Sequence, residues 1–151
     1  MDPAIITAPT ADQFEWCAQL MAASEPWLAL RRGLDECRVA VTHPEYLVHI
    51  AHDGGTLLGF IRIHPRGVAG SPYIASIAVA AEARSQGVGS FLLRHTERVF
   101  SHSRYLFLCV SSFNPRAAEL YERRGFRALG LLPDYVIDGA DEVLMMKRLT
   151  A

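Results

Sequence analysis

The chain has 151 residues, 50% of them apolar, with 15 basic and 16 acidic side chains and a formal charge of −1. That length suits one domain spanning 1–151, and the balanced charge excludes a broad basic field for nucleic acid or an acidic tail for a basic partner. No apolar run reaches membrane-span length, Met1-Asp2-Pro3 lacks signal-peptide character, and the widely spaced Cys17, Cys37 and Cys109 suit a reducing compartment, so the expected location is the cytoplasm.

Ala4–Thr7 reads as a first short strand. Thr10-Ala11-Asp12-Gln13 has the form of a capping box and starts a helix through about Ala23, with Phe14, Cys17 and Met21 spaced for its buried face. Pro26 breaks that pattern, a second helix covers about Leu34–Val41, and Pro44 closes it. Glu45–His52 and Thr56–His64 are two strands joined by Asp53-Gly54-Gly55, a good hairpin turn. Pro65–Pro72, rich in Gly and Pro, is expected to be a loop before the strand Tyr73–Val79. A helix from about Val88 to Phe100 follows, with Val88, Leu92 and Val99 roughly on one face. Tyr105–Val110 is a continuous apolar run, expected to be a strand buried on both faces. Phe126–Leu131 and Glu142–Leu149 form a last strand pair, with Asp138-Gly139 as the turn signal between them. The order is mixed α/β.

Two stretches carry chemistry. In Arg84-Ser85-Gln86-Gly87-Val88-Gly89, two glycines and an arginine lie between a strand and a helix. Glycine allows positive φ and close approach of the backbone, and a helix's first turn offers unpaired N–H donors and partial positive charge. Together these make a seat for a phosphate or pyrophosphate. It is not a P-loop, since no Gly-Lys-Ser/Thr follows, nor a dinucleotide fingerprint, since Leu92 stands where a third glycine belongs. A plain strand-to-helix turn uses the same residues. The second stretch, Asn114 to Phe126, reads as a short helix with Asn114 as N-cap, Pro115 at the first position and Gly125 as its stop. Asn114 and Tyr121 are about two turns apart and project to nearly the same side. A capped amphipathic helix needs no function to explain it.

Taken together, Arg-x-x-Gly-x-Gly after a strand and, about two dozen residues on, Asn-x-x-Ala-x-x-x-Tyr-x-x-x-Gly-Phe resemble the GCN5-related N-acetyltransferase (GNAT) superfamily. The resemblance implies a central mixed sheet of about six to seven strands flanked by about four helices. A V-shaped splay would separate the strand before the phosphate loop from the next parallel strand. It implies acetyl-coenzyme A as co-substrate, with its pyrophosphate on the backbone of Gln86, Gly87, Val88, Gly89 and Ser90, and charge added by Arg84. The pantetheine would pair with Ile77, Ala78 and Val79 and meet Asn114. No metal is implied, and the family admits a homodimer.

The implied reaction is acetyl transfer to a primary amine of a small molecule or peptide by direct attack. Tyr121 is then the candidate general acid, because a phenol, ordinarily near pKa 10, is still protonated at neutral pH. The base is harder to find. The strand position where some members carry a glutamate holds Tyr73, and the position five before the motif asparagine, where others do, holds Cys109. Glu45, His49, His64 or a water relay are the remaining candidates. Without a base carboxylate, a low-pKa amine is favoured as acceptor over an unactivated lysine: roughly a tenth or more of an α-amine is neutral at pH 7, against about one in two thousand or fewer for a lysine. Trp27, Arg31, Tyr46, Asp134 and Tyr135 are candidates for the acceptor pocket. Cys109 is expected to be a small core residue. Two alternatives are a non-catalytic acyl-coenzyme A-binding or regulatory module on the same fold, and an interaction domain in which both motifs are structural.

Overall fold

Alternating buried and half-buried residues along Ser71–Val79 identify the strand on which the fold is organised. In a computed structural model, which describes residues 1–149, this strand (β4) lies at the centre of a seven-stranded sheet ordered β1-β2-β3-β4-β5-β7-β6. The strands are β1 Ala4–Ile6, β2 Leu47–Asp53, β3 Thr56–Val68, β4, β5 Tyr105–Ser111, β6 Arg127–Ile137 and β7 Ala140–Arg148. The helices are α1 Ala11–Ala22, α2 Leu34–Thr42, α3 Val88–Val99 and α4 Pro115–Arg123. This is the mixed α/β architecture expected from the sequence.

Apolar spacing puts a core on each face of the sheet. Cys17, Met21, Cys37 and Val41 of α1 and α2 pack on Val48, Ile50, Phe60 and Ala78. On the opposite face Val88, Leu92, Leu93 and Tyr121 of α3 and α4 cover Ile61, Ile63, Ile74, Leu106, Leu108 and Val110. The helix signals act locally as expected. Thr10 and Gln13 form a reciprocal capping box, and Asn114 Oδ1 accepts from the Ala117 amide at 3.4 Å.

Three expectations need correction. Pro65–Pro72 is not a loop: β3 continues to Val68 and β4 begins at Ser71, joined through Ala69 and Gly70, both at positive φ. A two-residue turn of that handedness matches strand twist, and Pro65 is accommodated because the register shifts between His64 and Val68. The sixth strand extends past Leu131 to Ile137, and its Pro133 is tolerated because β6 is an edge strand. β5 is fully buried on only one face. Tyr105, Phe107 and Cys109 on the other are half-buried, because α1 and α2 stop short of them.

β4 meets β5, the only parallel pair among the described residues, through Tyr73↔Phe107 and Ile74↔Leu108 alone. Beyond Ile74 the two strands part. On its other edge β4 stays paired to β3 as far as Gly59↔Val79. Gly59 makes that closeness possible: a Cβ there would lie 2.7 Å from the Ala78 carbonyl oxygen and 3.2 Å from Val88 Cγ1. Gly59→Ala is therefore expected to lower stability by about 1–3 kcal/mol, measured as a reduced urea midpoint with unchanged slope.

Candidate active site

The parting of β4 and β5 opens a cleft of about 330 Å³ whose walls include β4 from Tyr73 to Val79, Gly89, and β5 from Leu108 to Ser111. Asn114, Ala117, Leu120 and Tyr121 of α4 form a further wall. The Ala80 amide donates to the Leu58 carbonyl at 2.8 Å. Antiparallel pairing alternates, so Ala78 also faces β3, while Ile77 and Val79 turn their backbone groups toward the gap. Ile77, Ala78 and Val79 thus all line the cleft, but only two of the three offer backbone groups to it.

The glycine loop before α3 turns at Ser85 (φ 62°) and Gly87 (φ 83°), and the first α-helical bond leads from Phe91 N to Gly87 O. The amides of Val88, Gly89 and Ser90 therefore sit in the first turn, where no helical carbonyl can reach them. Gly89 faces the cleft; Gln86, Gly87, Val88 and Ser90 border an adjoining hollow with Met1, Pro3, Phe91 and Arg94. The Val88 side chain is buried, so only its backbone is available there. Arg84 Nε donates to the Val79 carbonyl at 3.2 Å, so its guanidinium is anchored beside the exit of β4. Arg84 borders neither the cleft nor this hollow; the exposed cation that does border the hollow is Arg94, one turn into α3 from Ser90, which sequence reading passed over.

Tyr121 is 6% exposed, edge-on to Phe126 at 6.0 Å, and no described residue hydrogen-bonds its hydroxyl. Burial raises its pKa above the ordinary phenol value, so the proton stays on. Asn114 uses its side-chain oxygen as the helix cap, which leaves its amide donors for the cleft.

None of the base candidates named from the sequence lines the cleft. Glu45 is largely exposed, 3.9 Å from His64. His64 has its Nδ1 taken by the Arg66 amide. His49 lies on the opposite face, 2.9 Å from His95, and burial lowers the pKa of both, His95 to about 4. A carboxylate does reach the cleft, but from β7. Glu142 stands opposite Ser111 in the β5–β7 ladder, is 8% exposed, and accepts a 2.5 Å hydrogen bond from Ser111 Oγ. Desolvation raises its pKa, opposed by the Ser111 bond. Nothing in the sequence marked it, because it lies thirty-one residues from Ser111 and becomes its neighbour only through strand pairing.

Cys109 is half-buried on the cleft wall beside Tyr73, not in the core. Desolvation raises the pKa of both groups, which keeps the thiol and the phenol protonated. Of the acceptor-pocket candidates, Trp27 and Tyr135 line the cleft. Arg31 and Asp134 do not; Asp134 instead ties the β6–β7 hairpin through the Gly139 and Asp141 contacts. Tyr46 stands behind the wall, its ring 4.3 Å from the guanidinium carbon of Arg62. Among the described residues no group of three or more His, Cys, Asp or Glu is placed to hold a metal ion, and no helix is long and apolar enough to cross a membrane.

Comparison with known proteins gives four informative matches. The profile described as the "Acetyltransferase (GNAT) family" matches residues 9–126. An uncharacterised N-acetyltransferase of Methanocaldococcus jannaschii is 38% identical over 82 residues, 52% of this chain and 53% of that one, so the aligned stretch spans about half of that relative. The N-alpha-acetyltransferase RimI of Mycobacterium tuberculosis is 31% identical over 156 residues, 97% of this chain and 93% of that protein. Among solved structures, an aminoglycoside 6'-N-acetyltransferase complexed with coenzyme A superposes with a TM-score of 0.79, covering 99% of this chain and 97% of that one. Its identity is 17%, so that likeness is one of fold.

Proposed function

The chain belongs to the GNAT acetyltransferase family, and on that premise we propose that it moves an acetyl group from acetyl-coenzyme A to a primary amine of a small molecule or peptide. Tyr121 acts as general acid and Glu142 as general base. The observation that carries this reading is one cleft bordered at once by the open edge of β4, by Gly89, Asn114 and Tyr121, and by Glu142.

The first-turn amides from Val88 to Ser90 and the glycines at 87 and 89 suit a diphosphate, with Arg84 and Arg94 adding charge. The backbone of Ile77 and Val79 suits the amide-bearing pantetheine arm, and Asn114 adds donors beside it. Acetyl-coenzyme A supplies an activated acetyl carbonyl. Ionised Glu142 accepts the proton that the acceptor nitrogen gives up. The Tyr121 hydroxyl donates to the departing sulfur. Although burial makes that phenol a weaker acid, the same burial makes a thiolate a stronger base, so the two shifts offset.

The acceptor class rests on amine acidity. The case for a weakly basic amine drew on a missing carboxylate, and Glu142 removes that part of it. The cost of deprotonating a lysine remains, from its ordinary pKa of about 10.4 against about 7.7–8.0 for an α-amine. At pH 7 a peptide α-amine is expected to outrun a matched lysine side chain by roughly two- to five-hundredfold, and the gap should narrow in alkali. Release of free thiol from acetyl-coenzyme A across a panel of such amines tests this. Binding of coenzyme A with no thiol release from any amine would instead favour a non-catalytic acyl-coenzyme A module.

A further inference from the structure

Two cations and three acids line the cleft. The acids are engaged: Glu25 accepts from the Ala29 amide, Glu36 lies 3.6 Å from Arg32, and Glu142 holds Ser111. Arg62, the other cation, has no carboxylate within 4.0 Å among the described residues. It is half-buried on β3. Its Nε donates to Ser76 Oγ at 3.2 Å, its Nη1 to the Ala40 carbonyl at 3.3 Å, and it overlies the Tyr46 ring at 4.3 Å. These contacts hold the guanidinium in place without neutralising it. Five N–H donors are available on an arginine, so donors remain for a ligand.

The strand register sets where this charge stands. His64↔Tyr73 and Arg62↔Ser76 are paired, with Ala75 as the extra residue of a bulge, so Tyr73 and Ser76 share one face with Arg62. Tyr73 continues that face to Phe107, and by alternation to Cys109 and Ser111, opposite which Glu142 stands. An unpaired cation and the carboxylate assigned to the acceptor nitrogen therefore lie on the same face of the sheet, with Tyr73 and Cys109 between them. Burial disfavours the charged form of Arg62, and an anion beside it would relieve that cost.

We propose that Arg62 is the anchor for a carboxylate carried by the acceptor, so that the substrate is an amine bearing an acidic group. This specificity role rests on the acetyl-transfer reading above. β3 and β7 are three steps apart in the sheet, and β4 and β5 have already parted at Ser76 and Ser111, so the two backbones lie farther apart than the roughly 14 Å of three ordinary strand spacings. The carboxylate therefore belongs several bonds from the reacting nitrogen, as in a short peptide's C-terminus or an acidic side chain near a peptide's N-terminus. A guanidinium suits this role because its planar fork takes a carboxylate in two parallel bonds.

The test compares acceptors that differ only in that group. Tetraglycine is paired with tetraglycinamide for the terminal carboxylate, because four extended residues reach roughly 14 Å. For the side-chain source, two tetrapeptide amides differ by glutamate or glutamine at the second position. Wild type is expected to show about ten- to a hundredfold higher kcat/KM for the acidic member of at least one pair, mainly through KM. Arg62→Met, which keeps the stem, should abolish the difference while leaving kcat on the neutral member unchanged, and Arg62→Lys should restore part of it. Thermal melts check that both variants fold. A second readout is independent of turnover: calorimetric titration, with coenzyme A present, of the N-acetylated acidic and neutral peptides. If no amine releases thiol, the transfer reading fails, yet an acid preference in binding that Arg62→Met removes would still support the anion site. Equal use and equal binding of both members by wild type, or a preference that survives in Arg62→Met, would overturn it.

Discussion

Replacing Tyr121 by phenylalanine is expected to lower turnover by about a hundred- to ten-thousand-fold, the usual contribution of a positioned general acid, with little change in coenzyme A affinity. Stability is expected to hold, because no described residue hydrogen-bonds the hydroxyl and its removal orphans none. The ring itself packs in the core beside Phe126, and phenylalanine preserves that contact. Steady-state kcat and calorimetric binding of coenzyme A, measured on the same samples, separate chemistry from packing. Wild-type turnover in the variant would remove Tyr121 from the mechanism.

Glu142→Gln is expected to cost a comparable factor at neutral pH, and its pH profile distinguishes a base from a structural group. Desolvation raises the Glu142 pKa in the folded chain. Wild-type kcat/KM should therefore fall as pH drops through that raised value, and the glutamine variant should lack this limb and recover toward alkaline pH as the ammonium form of the acceptor loses its proton without help. The stability sign is opposite to that of a salt-bridged carboxylate. A group whose folded pKa is raised contributes stability below its unfolded pKa and loses it as pH rises through the folded one. Ionised Glu142 is thus a burden at neutral pH, and Glu142→Gln, which can still accept from Ser111, should be at least as stable there. A variant that is inactive only because it has unfolded would contradict this.

The elements whose signals are local were legible in the chain. The Thr10 capping box, the Asn114 cap with Pro115 behind it, and the hairpin at Gly54 and Gly55 all appear where the residues imply them. The Pro65–Pro72 segment misled because Gly and Pro there read as a loop. Their actual use is a bulge and a tight turn inside a longer hairpin, a distinction made by pairing partners rather than composition. At the site, the glycine loop, Asn114 and Tyr121 stood out because each is fixed by spacing along one short segment. Glu142, Arg62 and Arg94 did not, since an acid or arginine in a strand or on an exposed helix face looks the same wherever it faces.

What the residues alone determined is the order of strands and helices, the two motif segments and the kind of chemistry they suit, because periodicity, caps and turns act over a few neighbouring positions. The family resemblance already implied that β4 and β5 part; tertiary structure alone decided that β7 inserts between β5 and β6, that the parting begins just past Ile74↔Leu108, and that Glu142 and Arg62 flank the same face. Those facts depend on which backbones hydrogen-bond across the sheet. That choice is made by burying both faces at once, and no short window of sequence contains it.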